Sequence, residues 1–127
     1  MRHTIKQFMK HTLTIIGLIL LYSFSCTKIN SICISNGFYI ENIPIVGRSQ
    51  LNFINNNRVI KSETGSNFRD TFRYTFLTGK IVLTPTWTTQ YAGQEFDFRK
   101  IDDHTFQIEN IYPSIPEAPK SYMTFKK

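Results

Sequence analysis

The sequence predicts an all-β domain, a small antiparallel barrel or sandwich of about eight strands. Three observations indicate this class. Aromatic residues make up 14% of the 127 residues, and aromatic side chains are enriched in strands. Apolar and polar residues alternate with a period of two in several short runs, separated by turn residues. Beyond the N-terminal segment, no window keeps a helical period over the length of a stable helix.

Residues 1–25 precede this domain and have the pattern of a helical signal peptide. Arg2, Lys6 and Lys10 form a basic start, and an uncharged stretch follows from Thr12 to Ser25. The stretch is shorter than the roughly 20 apolar residues that span a bilayer as a helix. A basic region, a short apolar region and small residues at the end are typical of a secretory signal. A transmembrane anchor or a buried core helix fits this pattern less well.

The predicted cleavage site lies directly before Cys26. Ser23 and Ser25 stand at the −3 and −1 positions, which satisfies the small-residue rule for signal cleavage. Cleavage there would make Cys26 the first residue of the mature chain. The alternative is a soluble secreted protein in which Cys26 and Cys33 form a disulfide across a short loop.

The segment Leu21–Cys26 resembles the lipobox of Bacteroidota lipoproteins, although the strict form has a leucine at −3 and a small residue at −2, where this chain has Ser23 and Phe24. The resemblance implies a lipid on the Cys26 thiol and a membrane anchor in the cell envelope. Cys33 would then be an odd cysteine, either buried or available for intermolecular pairing. No acidic residue occurs between Cys26 and Glu41, which by the same resemblance favours the outer membrane with the domain facing the periplasm.

Charge and cysteine content exclude several classes of protein. All nine acidic residues follow Cys26, whereas three of the fifteen basic residues precede it, so the mature chain carries 12 − 9 = +3 rather than +6. The remaining basic residues are scattered rather than clustered, which argues against a nucleic-acid partner. Two cysteines cannot form a dense disulfide scaffold or a four-cysteine zinc site.

The mature chain divides into a tether at residues 26–37 and a β-domain at residues 38–127. Short apolar pieces at residues 38–40 and 44–46 are followed by strands around Leu51–Phe53 and Val59–Glu63. The clearest strand is Phe68–Leu77, where Phe72, Tyr74 and Phe76 share one face. A threonine-rich stretch around Trp87 also has strand propensity. The later predicted strands are Ile81–Leu83, Phe96–Arg99, Thr105–Tyr112 and Tyr122–Phe125.

The strand layout is similar to that of the small lipocalin-like domains found in Bacteroidota lipoproteins. The similarity covers roughly residues 50–127, and one motif of true lipocalins, Gly-x-Trp near the start of the domain, is missing. It implies a barrel that either is filled by side chains or holds one ligand. The matching segments are Leu51–Phe53, the hairpin from Tyr74–Phe76 to Lys80–Leu83, Phe96–Ile101 and Tyr122–Phe125.

Residues with catalytic or metal-binding chemistry are few. His104 is the one histidine after Cys26, and its neighbours Asp102 and Asp103 read as a turn between strands. No nucleophile motif or Gly-rich phosphate loop accompanies it, so we expect no enzyme activity, no metal and no cofactor. The carboxylates Glu95, Asp97 and Glu109 alternate with apolar residues, which favours a solvated face over a catalytic pair.

The aromatic residues are the remaining candidates for a site. They could line a pocket for an apolar molecule or simply form the core, and the core is the favoured interpretation for a domain of this size. Two functions follow as expectations. The first is a non-enzymatic envelope lipoprotein whose barrel is a binding or interaction module of unknown partner, with an apolar ligand or an envelope protein as candidates. The second is a carrier of a small apolar ligand. The candidate residues are Phe72, Tyr74, Phe76, Trp87, Phe96, Phe98 and Phe106.

Overall fold

The computed structural model describes residues 32–55 and 57–127. Eight β-strands make up the regular structure of this part of the chain. The predicted signal peptide, its predicted cleavage site and Cys26 lie outside the described residues. The strands are β1 (Gly37–Ile43), β2 (Ser49–Asn55), β3 (Arg58–Glu63), β4 (Arg69–Leu77), β5 (Lys80–Pro85), β6 (Gln94–Lys100), β7 (Thr105–Glu109) and β8 (Tyr122–Lys126).

The strands form a closed antiparallel barrel in which each strand pairs with its sequence neighbours and β8 pairs with β1. The predicted all-β class and the number of strands are therefore confirmed, and the barrel alternative is the correct one. Closure occurs through three residue pairs, which join Ile40 to Lys126, Glu41 to Phe125 and Ile43 to Thr124. Because β8 has neighbours on both sides, the sheet has no free edge.

Alternation along each strand places one set of side chains inside the barrel. In β4, Tyr74 is buried and Phe72 and Phe76 are partly buried, while Arg73 and Thr75 are exposed. Thr86–Gly93, which includes the threonine-rich stretch, is a connection between β5 and β6 rather than a strand. The buried hydrophobic residues of the interior are Tyr39, Leu51, Phe53, Val59, Tyr74, Ile81, Leu83, Phe96, Phe98, Phe106, Ile108, Met123 and Phe125.

Because consecutive strands are antiparallel, their connections alternate between the two ends of the barrel. One end, here called the closed end, carries the β2–β3 turn at Asn57, the β4–β5 turn at Thr78–Gly79 and the β6–β7 connection at residues 101–104. Gly79 occupies the left-handed region with φ of 69°, which glycine adopts without steric cost. The opposite end, called the loop end, carries the connections at residues 44–48, 64–68, 86–93 and 110–121.

Residues 32–36, which precede β1, pack on the barrel. Ile32 and Ile34 are partly buried against the core, and the Ser35 Oγ lies 2.8 Å from the phenolic oxygen of Tyr39. Lys127 donates from its Nζ to the Asn36 carbonyl at the same end. The compact unit accordingly starts at Ile32, and Cys33 within this segment is disulfide-bonded.

Candidate ligand cavity at the loop end

A cavity of about 260 Å³ lies inside the barrel at the loop end. Inward-facing residues of β2 to β6 form its walls, and the β5–β6 and β7–β8 connections contribute the remaining side chains. Most of the lining is apolar, which is typical of small-molecule sites in proteins. The lining residues are Leu51, Lys61, Phe72, Leu83, Pro85, Tyr91, Ala92, Gln94, Phe96 and Ile111.

At the closed end of the same barrel, aromatic rings fill the interior. Neighbouring rings there have centroids 5.0 to 5.9 Å apart, in edge-to-face, tilted and stacked arrangements. The Tyr74 hydroxyl also donates to the Asn55 carbonyl at 2.8 Å. This aromatic cluster consists of Tyr39, Phe53, Tyr74, Phe76, Phe98, Phe106 and Phe125.

The cavity begins where smaller side chains take over the inward positions. In β2, Leu51 lines the cavity, whereas Phe53, two residues nearer the closed end, belongs to the aromatic cluster. Aliphatic side chains reach less far across the barrel than aromatic rings. The space in the middle of the loop end is therefore left open and is bounded laterally by Phe72 and Phe96.

Lys61 is the charged residue in the cavity wall. It lies two positions after the buried Val59 in β3, so it points inward, and 16% of its side chain is exposed. Its Nζ lies 3.0 Å from the Glu63 Oε1 and 4.5 Å from the centroid of the Tyr112 ring. The ion pair with Lys61 outweighs partial burial and lowers the pKa of Glu63 below its usual value.

Glu41 supplies a buried carboxylate beside the Lys61–Glu63 ion pair. The Glu41 side chain is inaccessible to solvent and accepts hydrogen bonds from the Arg48 Nη2 at 2.7 Å and the Ser49 Oγ at 2.7 Å. The Arg48 Nε and the Ile45 backbone N donate to it as well, at 3.0 and 3.2 Å. Burial by itself raises the pKa of Glu41, but these hydrogen bonds and the Arg48 charge hold it below its ordinary value.

Tyr112 connects the two ion pairs. The Arg48 guanidinium carbon lies 4.3 Å from the centroid of its ring, and the Lys61 ammonium lies 4.5 Å away. Both distances are within the range of cation–π attraction. Burial raises the pKa of the Tyr112 hydroxyl, so the ring stays uncharged at neutral pH. Glu41, Arg48, Lys61, Glu63 and Tyr112, here called the polar cluster, therefore contain two cations and two carboxylates.

The aromatic candidates predicted from sequence fall into three places. Phe72 and Phe96 line the cavity, whereas Tyr74, Phe98 and Phe106 are buried in the aromatic cluster. Phe76 is partly buried and also belongs to that cluster. Trp87 is 58% exposed in the β5–β6 connection, and its ring meets Phe72 edge-on at 5.2 Å. The structure thus places two of these candidates in the cavity wall and Trp87 beside it.

Sequence reasoning did not single out the polar cluster. In β1 and β3 the inward positions include Glu41 and Lys61, and the outward ones include the exposed Ile40. From the sequence alone, a charged residue in a strand is normally assigned to the solvent-facing side, so an inward-facing charge is not recognised. The one available signal was parity, because Lys61 and Glu63 share a strand face with the apolar Val59.

The residues considered for catalysis and metal binding are not gathered into a site. His104 is exposed, and its backbone N donates to the Asp102 Oδ1 at 2.8 Å, which is the geometry of an Asx turn. On the outside of the barrel, the Lys120 Nζ forms ion pairs with the Asp97 Oδ2 at 2.9 Å and the Glu109 Oε2 at 3.3 Å. Within residues 32–55 and 57–127, no group of three or more potential ligands is placed to hold a metal ion.

Comparison with known proteins finds no matching protein family, no matching curated protein and no matching solved structure. In the part of the chain that the structure describes, no helix is long and apolar enough to cross a membrane.

Proposed function

We propose that this protein is a non-enzymatic binding protein of the cell envelope whose barrel holds a small, mostly apolar molecule. The observation that carries the proposal is the 260 Å³ cavity at the loop end. Protein interiors are normally packed to the density of organic crystals. An apolar void of this size next to a fully packed aromatic cluster is therefore a good candidate for a place where a ligand sits.

The position of the cavity also supports binding. It opens among the loop-end connections, where Tyr91 and Ala92 form part of its wall and are exposed. A molecule can reach the cavity there without unfolding a strand. The strands around it supply a rigid frame, and the loops supply a route for entry, as in other barrel mouths that bind small molecules.

Fluorescence of Trp87 offers a direct test of binding. It is the only tryptophan in the chain, and it touches Phe72, which lines the cavity. We expect n-nonane or 2-octanone to shift its emission in a saturable way and to raise the thermal midpoint, because a ligand that binds only the folded state stabilises it.

Two variants separate binding in the cavity from binding elsewhere. Leu51→Phe adds bulk to the cavity wall and should abolish both effects. Asn52→Phe adds the same ring at the next position of β2, which faces outward, and should leave both effects unchanged. Equal responses of the two variants, or no response of the unmodified protein, would rule out a ligand site in this cavity.

A second candidate function is the recognition of another envelope protein, and the surface of the loop end favours it. Every connection at that end exposes large apolar side chains, and clusters of exposed apolar residues often mark interaction sites. Photo-crosslinking from position 87 in cells should then give a defined product that Phe68→Ser removes. The exposed residues are Ile45, Val46, Phe68, Trp87, Tyr91 and Ile115.

We also propose that Cys26 carries the lipid that holds the protein in the outer membrane with the barrel in the periplasm. The lipobox-like segment and the basic, then apolar, N-terminal sequence support it. Labelling with an acyl probe should be lost in Cys26→Ser and retained in Cys33→Ser. Label that persists in Cys26→Ser contradicts the anchor.

A further inference from the structure

We infer that the ligand of the loop-end cavity is an uncharged molecule with an apolar body of about nine non-hydrogen atoms and one hydrogen-bond acceptor that meets Lys61. This inference rests on the proposed binding function and narrows it to a chemical class. Aliphatic ketones, esters and lactones of medium length belong to this class, and carboxylates of the same length do not.

Volume limits the size of the ligand. At about 30 Å³ for each water-sized group, a cavity of 260 Å³ holds about nine such groups. Drug-sized ligands normally occupy about 300 Å³ or more. Long acyl chains and sterols are therefore too large for the cavity in its present shape.

Lys61 provides the reason for an acceptor. An ammonium group has three N–H donors, and the Lys61 Nζ directs one at the Glu63 carboxylate, 3.0 Å away, and faces the Tyr112 ring. The side chain is mostly buried and belongs to the cavity wall. A buried donor left without a partner is costly. A ligand oxygen at this wall would accept the remaining N–H.

Charge balance decides against a carboxylate ligand. Glu41 and Glu63 already neutralise Arg48 and Lys61 in the polar cluster. In addition, Asp70 is the register partner of Lys61 in β4 and shares the inward parity of Phe72. A ligand anion would add a further negative charge beside Glu63 and Asp70, and like charges repel one another. A neutral acceptor receives the same hydrogen bond without that repulsion.

The test compares three probes of about the same size, 2-octanone, heptanoate and n-nonane, by isothermal titration calorimetry at pH 7.5. We expect 2-octanone to bind about tenfold more tightly than heptanoate. It should bind about three- to tenfold more tightly than n-nonane, which lacks the acceptor. Lys61→Met should remove the difference between the two neutral probes, so that 2-octanone and n-nonane bind the variant with the same affinity.

Glu63→Gln should abolish the preference for 2-octanone over heptanoate and serves as the second variant. It removes one negative charge and leaves the Lys61 ammonium without its ionic partner. The affinity for heptanoate should rise about tenfold, while that for 2-octanone changes little. The matched control is Glu95→Gln, which removes the same charge from the outer face, where Glu95 pairs with Lys80. It should change neither affinity.

The outcomes separate the inference from the function on which it rests. Tighter binding of heptanoate than of 2-octanone by the unmodified protein overturns the inference and keeps the proposed binding function. Equal binding of 2-octanone and n-nonane, insensitive to Lys61→Met, likewise overturns the role of the acceptor. Binding of none of the three probes overturns the proposed function itself and this inference with it.

Discussion

The two ends of the barrel are built on the same strands and differ in what fills them. At the closed end the inward residues are aromatic and their rings contact one another at 5.0 to 5.9 Å. At the loop end the inward residues are a mixture of aliphatic, aromatic and charged side chains, and they enclose a cavity of about 260 Å³ and the polar cluster. The comparison shows how one barrel can keep a packed core at one end and a cavity at the other.

Truncation of a ring at the closed end should have the largest effect on stability. Phe106 is buried and contacts Tyr39, Phe53, Phe98 and Phe125. Phe106→Ala should lower the free energy of unfolding by about 3–5 kcal/mol. Urea denaturation followed by circular dichroism measures this change.

The matched change at the loop end is Leu83→Ala, in a residue that borders the cavity. It should cost only about 2 kcal/mol, at the lower limit for such truncations, because the side chain already lacks neighbours on one side. An equal loss of stability in the two variants would show that the ends are packed alike.

Removal of the Glu41 charge tests whether the loop end depends on its polar cluster. Glu41→Gln leaves Arg48 without its ionic partner and should lower the free energy of unfolding by about 2–3 kcal/mol. The loss should be somewhat smaller than for a fully buried ion pair, because Arg48 is partly exposed. Glu117→Gln, at an exposed position, is the control and should be neutral. Denaturation midpoints at pH 7 provide the measurement, and a neutral Glu41→Gln would contradict the prediction.

Low pH should destabilise the folded protein partly through protonation of the Glu41 carboxylate. The folded state holds the pKa of Glu41 below 4.5, its value without these contacts, so the unfolded chain takes up the proton first as pH falls. The stabilisation is complete above pH 4.5 and is lost as pH drops through the lower pKa of the folded state. Carboxyl groups titrate between about pH 6 and pH 3. Over this range the free energy of unfolding should fall more steeply in the unmodified protein than in Glu41→Gln. Parallel curves would contradict this.

Gly93 sits where the loop end meets the outside of β5, and its substitution should have a moderate effect. A Cβ at this position would come within 2.5 Å of the Thr84 Oγ1 and the Val82 Cγ1. Gly93→Ala should therefore cost about 1–2 kcal/mol as those side chains shift. Ala92→Gly, the neighbouring exchange of the same two residue types, should change stability less. The thermal midpoint measures both, and a neutral Gly93→Ala would show that the loop yields easily.

Trp87 should matter least for stability. It is mostly exposed and makes one edge-on ring contact, with Phe72 at 5.2 Å, so Trp87→Ala should cost about 0.5–1 kcal/mol. A loss as large as that of Phe106→Ala would mean that the rim of the cavity is part of the core. Chemical denaturation, followed by tyrosine emission in the variant, gives the comparison.

The strands and the closed end could be predicted from the sequence largely because period-two alternation is a local property. The face shared by Phe72, Tyr74 and Phe76 is the clearest case. Closure could not be predicted, since the same alternation occurs in sandwiches and closure depends on pairing between β1 and β8, which are distant in sequence.

The contents of the loop end were harder to predict for a different reason. Phe96 and Phe98 have the same pattern in β6, yet Phe96 borders the cavity and Phe98 lies in the aromatic cluster. Which of them meets a ring across the barrel depends on the register of distant strands. Glu41 and Lys61 were missed because burial of a charge requires a partner, and the partners Arg48 and Glu63 are recognised as such only in the folded chain.

The seam between β1 and β8 determines how the barrel responds to mechanical force. Strand β1 begins and β8 ends at the closed end, and the two are antiparallel neighbours. Tension applied between Gly37 and Lys126 would therefore load their hydrogen bonds one after another, as in unzipping, instead of all together in shear. The seam would open from the closed end, and the pairs at Glu41 and Ile43 would be the last to separate.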